Sequence, residues 1–297
     1  MKNTLYLLAL SAIAAVSISA QEPRPAVASD ARTRDVYVSV VDNKSVAVKG
    51  LTAADFSVRE DTFSREVIRA VPATEPLDVV LLVDDSQAAT RSIPYLREGL
   101  TKFIDRLQGK AAIGIVTVGE RPMSVAERTT EVEGLKKGVS RIFARPGSGA
   151  YLLEGIIDVS RGFRLREASR PVIVVLTFEG IEFSNAGYER VLDELHKSGA
   201  ALHVLSIGTP ASPVTDEIRN KNVVVAQGTE ASGGRREQLL TEMAIPEALL
   251  KVADELLNQY VVTYGRPDSL VPPEKLKVTT NKPGLTARAR TRLPDKK

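Results

Sequence analysis

Residues 77–88 read Leu-Asp-Val-Val-Leu-Leu-Val-Asp-Asp-Ser-Gln-Ala, an apolar run that stops abruptly in acidic and hydroxyl groups. A stretch of Leu and β-branched residues bounded by turn-type polar residues reads as a strand buried on both faces. Such strands belong to parallel sheets covered by helices, and in open α/β sheets ligands bind outside the carboxyl ends of the strands. Asp84, Asp85 and Ser86 therefore fall where a site is expected.

From Asp78 to about Tyr260, strand-like and helix-like segments alternate, the pattern of a parallel sheet covered on both faces. Leu96, Leu100, Phe103, Ile104 and Leu107 recur at helical spacing within residues 93–107. Residues 132–143, 151–163 and 187–196 read as further helices, and Pro246 suits the first turn of a last one that runs to about Gln259. Strands are expected at 112–118, 171–176, 201–207 and 222–226. Only Arg121 and Pro122 separate residues 123–128 from the strand before them, so that segment is expected as an antiparallel edge strand. The expected fold class is α/β, a Rossmann-like domain over 77–260 with a mainly parallel six-stranded sheet and helices on both faces.

β-rich segments flank this core. Within residues 35–72, Val36, Val38 and Val40 alternate with their neighbours, Asp42, Asn43 and Lys44 make a turn, 46–48 resumes, and 56–60 gives another strand. Residues 260–264, 276–279 and 285–293 are strand-like between Pro267, Pro272, Pro273 and Pro283. Neither flank has enough strands to stand alone, so 35–72 and 261–293 are expected to pair into one small sandwich.

Residues 1–20 have the form of a secretory signal, with Lys2 as the basic start, an apolar run from Leu5 to Ile18 and small residues up to Ala20. Residues 21–34, polar and containing Pro23 and Pro25, read as a flexible lead-in. No second apolar run of that kind follows, so no membrane span is expected after cleavage, and a periplasmic or secreted location is. The chain has no cysteine, which excludes disulfides, thiol catalysis, thiolate metal sites and a lipidated cysteine. A net charge of +3 from forty basic and thirty-seven acidic residues gives no footprint for nucleic acid.

Val83-Asp84-Asp85-Ser86 resembles the opening of response-regulator receiver domains, whose phospho-acceptor aspartate follows some way downstream. No aspartate lies between Asp105 and Asp158, so that likeness fails. The chain is more similar to the bacterial secreted von Willebrand factor type A (VWA)-related family. Its adhesion motif D-x-S-x-S corresponds to Asp84-Asp85-Ser86-Gln87-Ala88. The family's lead segment corresponds to residues 36–42 and to Val48-Lys49-Gly50-Leu51, then Asp55-Phe56-Ser57-Val58-Arg59-Glu60-Asp61, with Thr62 replacing a glycine. Its closing segment corresponds to Ser232-Gly233-Gly234-Arg235 and residues 255–264.

The resemblance implies a non-catalytic, adhesion-type protein-binding module of the cell envelope, with a Mg²⁺ site of hydroxyl and carboxylate ligands. Hard divalent cations want about six oxygens. Asp84 and Ser86 fill two positions, Ala88 and Ala150 stand where the second serine and the threonine belong, and Glu179 replaces the aspartate of the later T-D-G after one extra residue. A degenerate site is thus expected, with Asp84, Ser86 and Glu179 as residual metal contacts, weak Mg²⁺ attraction at most, and no other cofactor. The partner surface is expected above the strand ends, at Gln87, Ser148, Tyr151 and Glu182. The bland reading is a strand-end cap that hydrogen-bonds loop amides. A true metal-dependent module using Ser148, and an envelope hydrolase using Asp84, Asp85 and Glu179, are the alternatives.

Three further features are read as structural. His203 is expected as a hydrogen-bonded core residue, Gly147-Ser148-Gly149 as a plain turn, and Arg288, Arg290 and Arg292 as one solvated strand face open to carboxylates or phosphates.

Overall fold

The computed structural model describes residues 33–210, 215–267, 271 and 273–292. The signal segment and the lead-in up to Arg32 lie outside the described residues.

In chain order the elements are β1 (Thr33–Val41), β2 (Phe56–Glu60), β3 (Phe63–Arg65), β4 (Val67–Pro72), β5 (Leu77–Val83), α1 (Ile93–Arg106), β6 (Ala111–Thr117), β7 (Met123–Thr129), α2 (Val132–Ser140) and α3 (Leu152–Leu165). They continue as β8 (Pro171–Phe178), α4 (Tyr188–Ser198), β9 (Ala201–Ile207), α5 (Asp216–Val223), α6 (Thr229–Ser232), β10 (Arg236–Leu239), α7 (Ile245–Leu257), β11 (Tyr260–Gly265), β12 (Leu276–Thr280) and β13 (Thr286–Ala289).

The central six-stranded sheet has the order β10-β9-β8-β5-β6-β7, parallel except for β7, which runs antiparallel to β6 as its spacing predicts. All seven residues of β5 are buried. Because side chains alternate across a strand, Val79, Leu81 and Val83 enter one core with Leu96, Leu100, Phe103, Leu249 and Val252 of α1 and α7. Val80 and Leu82 enter a second core with Leu152, Ile156, Val191 and Leu195 of α3 and α4. A strand with two buried faces cannot alternate polar and apolar residues, which is why residues 79–83 form a continuous apolar run.

The expected strand at 222–226 is helical instead. Thr215 caps α5 by accepting the Ile218 amide through Oγ1 at 3.3 Å, Asp216 and Glu217 sit in its first turn, and the chain continues through a wider π turn (Val224–Gly228) into α6. Val224 and Val225 are buried in the second core, so tertiary packing overrides the β preference of three consecutive valines. The sixth strand is β10, four residues long with three of them polar, which carries no period to read.

The flanking segments pair with one another. A four-stranded sheet of order β13-β1-β11-β4 and a three-stranded sheet of order β12-β2-β3 enclose Val36, Val38, Val40, Phe56, Val58, Tyr260, Val262, Tyr264, Leu276 and Val278. Strand β1 lies between β11, paired Thr33 to Gly265, and β13, paired Val38 to Ala289. Strands β3 and β4 are not evident in the sequence, and the expected strand at 46–48 is a single bridge between Val41 and Ala47. Glu60, 2% exposed inside the sandwich, is held by Arg266, Arg65 and the Tyr264 hydroxyl.

The expected solvated face of three guanidinium groups is also corrected. Arg288 reaches inward to Glu255 of α7, and Arg290 donates to the Gly199 carbonyl behind α4. Burial lowers the Arg290 pKa to about 10. Arg292 alone of the three is exposed. Among the described residues no helix is long and apolar enough to cross a membrane.

Candidate functional site

Strand β5 delivers Asp84 and Asp85 to the carboxyl edge of the sheet. Asp84 is 1% exposed, and its Oδ1 accepts the Ser86 amide at 2.9 Å. Its Oδ2 accepts the Phe178 amide at 3.1 Å and the Thr177 hydroxyl at 3.5 Å, which ties the end of β5 to the end of β8. Burial raises the Asp84 pKa against the pull of these donors. Asp85, 2% exposed, accepts the Gly119 amide at 2.6 Å and the Arg145 Nε at 2.9 Å. The first aspartate is thus a bracket between strands, and the second is half of an ion pair.

Each position of the expected metal site can be followed from here. Ser86 lies beside Asp84 and is 2% exposed. Ala88 presents its methyl toward Gly180, where an added Cβ would stand only 2.9 Å away. Ala150 is buried, its amide donating to the Ile181 carbonyl at 2.8 Å and its carbonyl accepting the Phe183 amide at 2.7 Å. Ser148 turns its hydroxyl to the Arg145 carbonyl at 2.8 Å. Glu179 lies over Gly208, where an added Cβ would meet its Cγ at 3.3 Å. The structure therefore brings Asp84 and Ser86 together and leaves Glu179 on the β9 side. Among the described residues no three His, Asp or Glu side chains form a group suited to a metal ion. Two methyls at ligand positions and an aspartate already carrying three donors do not fit the oxygen shell of Mg²⁺.

Residues 180–184 cover this edge. Gly149 lets them approach, since a Cβ there would be 2.8 Å from the Ile181 carbonyl. Glu182, expected as a partner contact, is 4% exposed and turned inward. Its Oε1 accepts the Leu152 amide at 3.0 Å and the Ser184 hydroxyl, while Ser184 Oγ accepts the Leu153 amide at 3.0 Å. Glu154 replies from α3, its Oε1 accepting the amides of Asn185 at 2.7 Å and Ala186 at 3.1 Å. Residues 182 and 184 thus supply acceptors to two of the free amides at the start of α3. Burial pushes the Glu182 carboxyl up to about 7.

Ile181 and Phe183 are left outside, 63% and 42% exposed, and the Phe183 ring lies 5.8 Å from that of Tyr151. Gln87 is exposed, and its Oε1 accepts the Gly147 amide at 2.8 Å. Gln87, Ser148 and Tyr151 therefore gather with Ile181 and Phe183 around one rim, above the buried Glu182. The two aromatic and aliphatic side chains were not singled out from sequence, although their alternation with Glu182 and Ser184 is a legible period of two. His203, on β9, is fully buried and neither ring nitrogen finds a hydrogen-bond partner. Burial lowers its pKa to about 4, which corrects the expectation of a hydrogen-bonded core histidine.

An open, mainly parallel α/β sheet with an aspartate-serine strand end and loops stacked over it defines a Rossmann-like architecture. Comparison with solved structures makes the class specific: the chain carries a VWA-like domain. A von Willebrand factor type A protein from Catenulispora acidiphila matches at 12% identity over 90% of this chain and 75% of that one, with a TM-score of 0.53. Proximal thread matrix protein 1 from the mussel byssus, solved with a zinc-occupied adhesion motif, matches at 13% identity over 66% of this chain and 50% of that one, TM-score 0.50. BatB from Bacteroides thetaiotaomicron matches at 16% identity over 61% of this chain and 98% of that one, TM-score 0.45. No family model matches the chain. No curated protein matches it by sequence.

Proposed function

We propose that the chain is a non-catalytic protein-binding module of the bacterial cell envelope that engages its partner without a bridging metal. The observation that carries this reading is the rim of Ile181, Phe183, Tyr151 and Gln87, standing over Asp84 and Asp85, whose carboxylates already accept hydrogen bonds from within. Exposed aromatic and aliphatic side chains ringed by polar groups suit a protein contact. The signal-like residues 1–20 support an envelope location. A hydrolase is disfavoured because Asp84 and Asp85 are committed to amides and to Arg145, while Glu179 lies over Gly208.

A photo-crosslinking residue at Gln87 or Ile181, compared with one at Val46 on the sandwich, tests the reading in envelope preparations. A discrete adduct from the two rim positions, unchanged by chelator and absent from Val46, is expected. Adducts confined to Val46, or lost on chelation, would overturn it.

A further inference from the structure

A cavity of about 590 Å³ opens at the amino edge of the central sheet, where β8 and β9 begin and β1 of the sandwich passes. That volume lies within the range of small-molecule sites. Its wall includes Phe163, Ala168 and Pro171, and it carries the guanidinium groups of Arg170 and Arg290. Arg170 is 5% exposed. Its Nη1 donates to the Glu75 carbonyl at 3.1 Å, its Nη2 to the Leu256 carbonyl at 2.6 Å and to Gln259 Oε1 at 2.7 Å, and its Nε is buried without a partner. Arg290 is half-buried and, among the described residues, donates to the Gly199 carbonyl alone. Arg164 and Lys197, on the same wall, are paired with Glu194 at 3.4 Å and Asp193 at 2.6 Å, whereas among the described residues no carboxylate pairs with Arg170 or Arg290.

The bland account of both arginines is capping. Leu256 lies at the end of α7 and Gly199 follows α4, and basic side chains satisfy the last carbonyls of helices. Capping does not use up the charge. A helix C-terminus carries about half a negative charge, so two of them offset about one of the two positive charges. Asp35 and Glu167 also line the cavity but are exposed, where solvent screens them. Burial lowers the pKa of both guanidinium groups, to about 10 at Arg290, and a bound anion offsets that penalty on the charged forms. We propose that this cavity binds a small organic acid, one carboxylate on an apolar body, whose carboxylate takes the unused donors of Arg290 within the field of Arg170. The planar fork of arginine matches a carboxylate. One residual charge suits a monoanion rather than a phosphate dianion, and the volume and apolar wall leave room for a chain or ring that inorganic phosphate lacks.

The cavity and the rim lie at opposite edges of the sheet, so this test stands apart from that of partner binding. The full chain is titrated calorimetrically with sodium octanoate, with 1-octanol and with inorganic phosphate. Wild type should bind octanoate about tenfold or more tighter than octanol, and phosphate should not compete. Arg290→Gln should abolish the preference for octanoate. Ala168→Phe, which narrows the cavity and keeps both arginines, should weaken octanoate by about tenfold. Absence of octanoate binding, equal affinity for octanoate and octanol in wild type, or displacement by phosphate overturns the proposal. A preference for octanoate that survives Arg290→Gln places the ligand elsewhere and overturns it too. If Arg290→Gln is poorly folded, Ala168→Phe decides: unchanged octanoate affinity there is equally fatal.

Discussion

Glu182 accepts the Leu152 amide at 3.0 Å, so a carboxylate from the loop after β8 terminates a helix that lies before that strand in the sequence. Burial holds its pKa at about 7, above the ordinary carboxylate range. The folded state therefore binds the proton more tightly than the unfolded state does. Its contribution to stability is full below about pH 4.5 and is lost as pH rises towards 7, to a total of about 3 kcal/mol. Glu182→Gln, which keeps the acceptor for Leu152, should remove this loss. Urea melts of both proteins from pH 4 to 8 check it; parallel profiles would refute it.

His203 acts with the opposite sign. Its folded pKa of about 4 lies below the ordinary value, so stability is full above about pH 6.5 and falls as pH drops towards 4. The two groups offset one another between about pH 4.5 and 6.5. His203→Leu should therefore steepen the loss of stability with rising pH, and Glu182→Gln the loss with falling pH. Chemical-shift titration of the imidazole gives a direct check, since a midpoint near 6.5 would contradict its burial.

Asp84→Ala strands the Ser86 and Phe178 amides at a buried strand end. Each orphaned amide costs about 1–3 kcal/mol, and the variant should melt well below wild type. Asp84→Asn keeps an acceptor and should lose about half as much. Added chelator should not change the melting temperature of any of the three; a chelator-dependent drop confined to wild type would restore the metal to the site.

Arg288→Ala leaves Glu255, 1% exposed, with Arg235 Nη1 at 3.9 Å as its remaining cation. Removing one partner of a buried pair costs about 3–5 kcal/mol. Arg292→Ala, at an exposed position of the same segment, should stay within about 0.5 kcal/mol of wild type. Equal effects in denaturant unfolding would mean that Arg288 is also a surface residue.

Much of the architecture was legible because it depends on local periods. The six apolar residues of β5, the helical spacing in α1 and the short link to β7 each name their element without help from the rest of the chain. The valines at 223–225 misled because the helical state of the stretch is imposed by burial of Val224 and Val225 in the second core beside α4. Strand β10 was invisible because four residues, three of them polar, carry no period. At the site, the proximity of Asp84 and Ser86 follows from chain adjacency, and the alanines at 88 and 150 could be read directly. The Arg145 pair with Asp85 and the inward turn of Glu182 depend on how loops pack, which no local pattern encodes.

The placement of β1 between β11 and β13 sets an order of events during synthesis. Strand β1 leaves the ribosome well before either of its partners, β11 and β13. The α/β unit can close first, since its strands follow one another closely, whereas pairings between distant segments are slow. Val36, Val38 and Val40 must then remain as an unpaired apolar ribbon until Tyr260 and Thr286 arrive, and that interval is when the chain has most need of a chaperone.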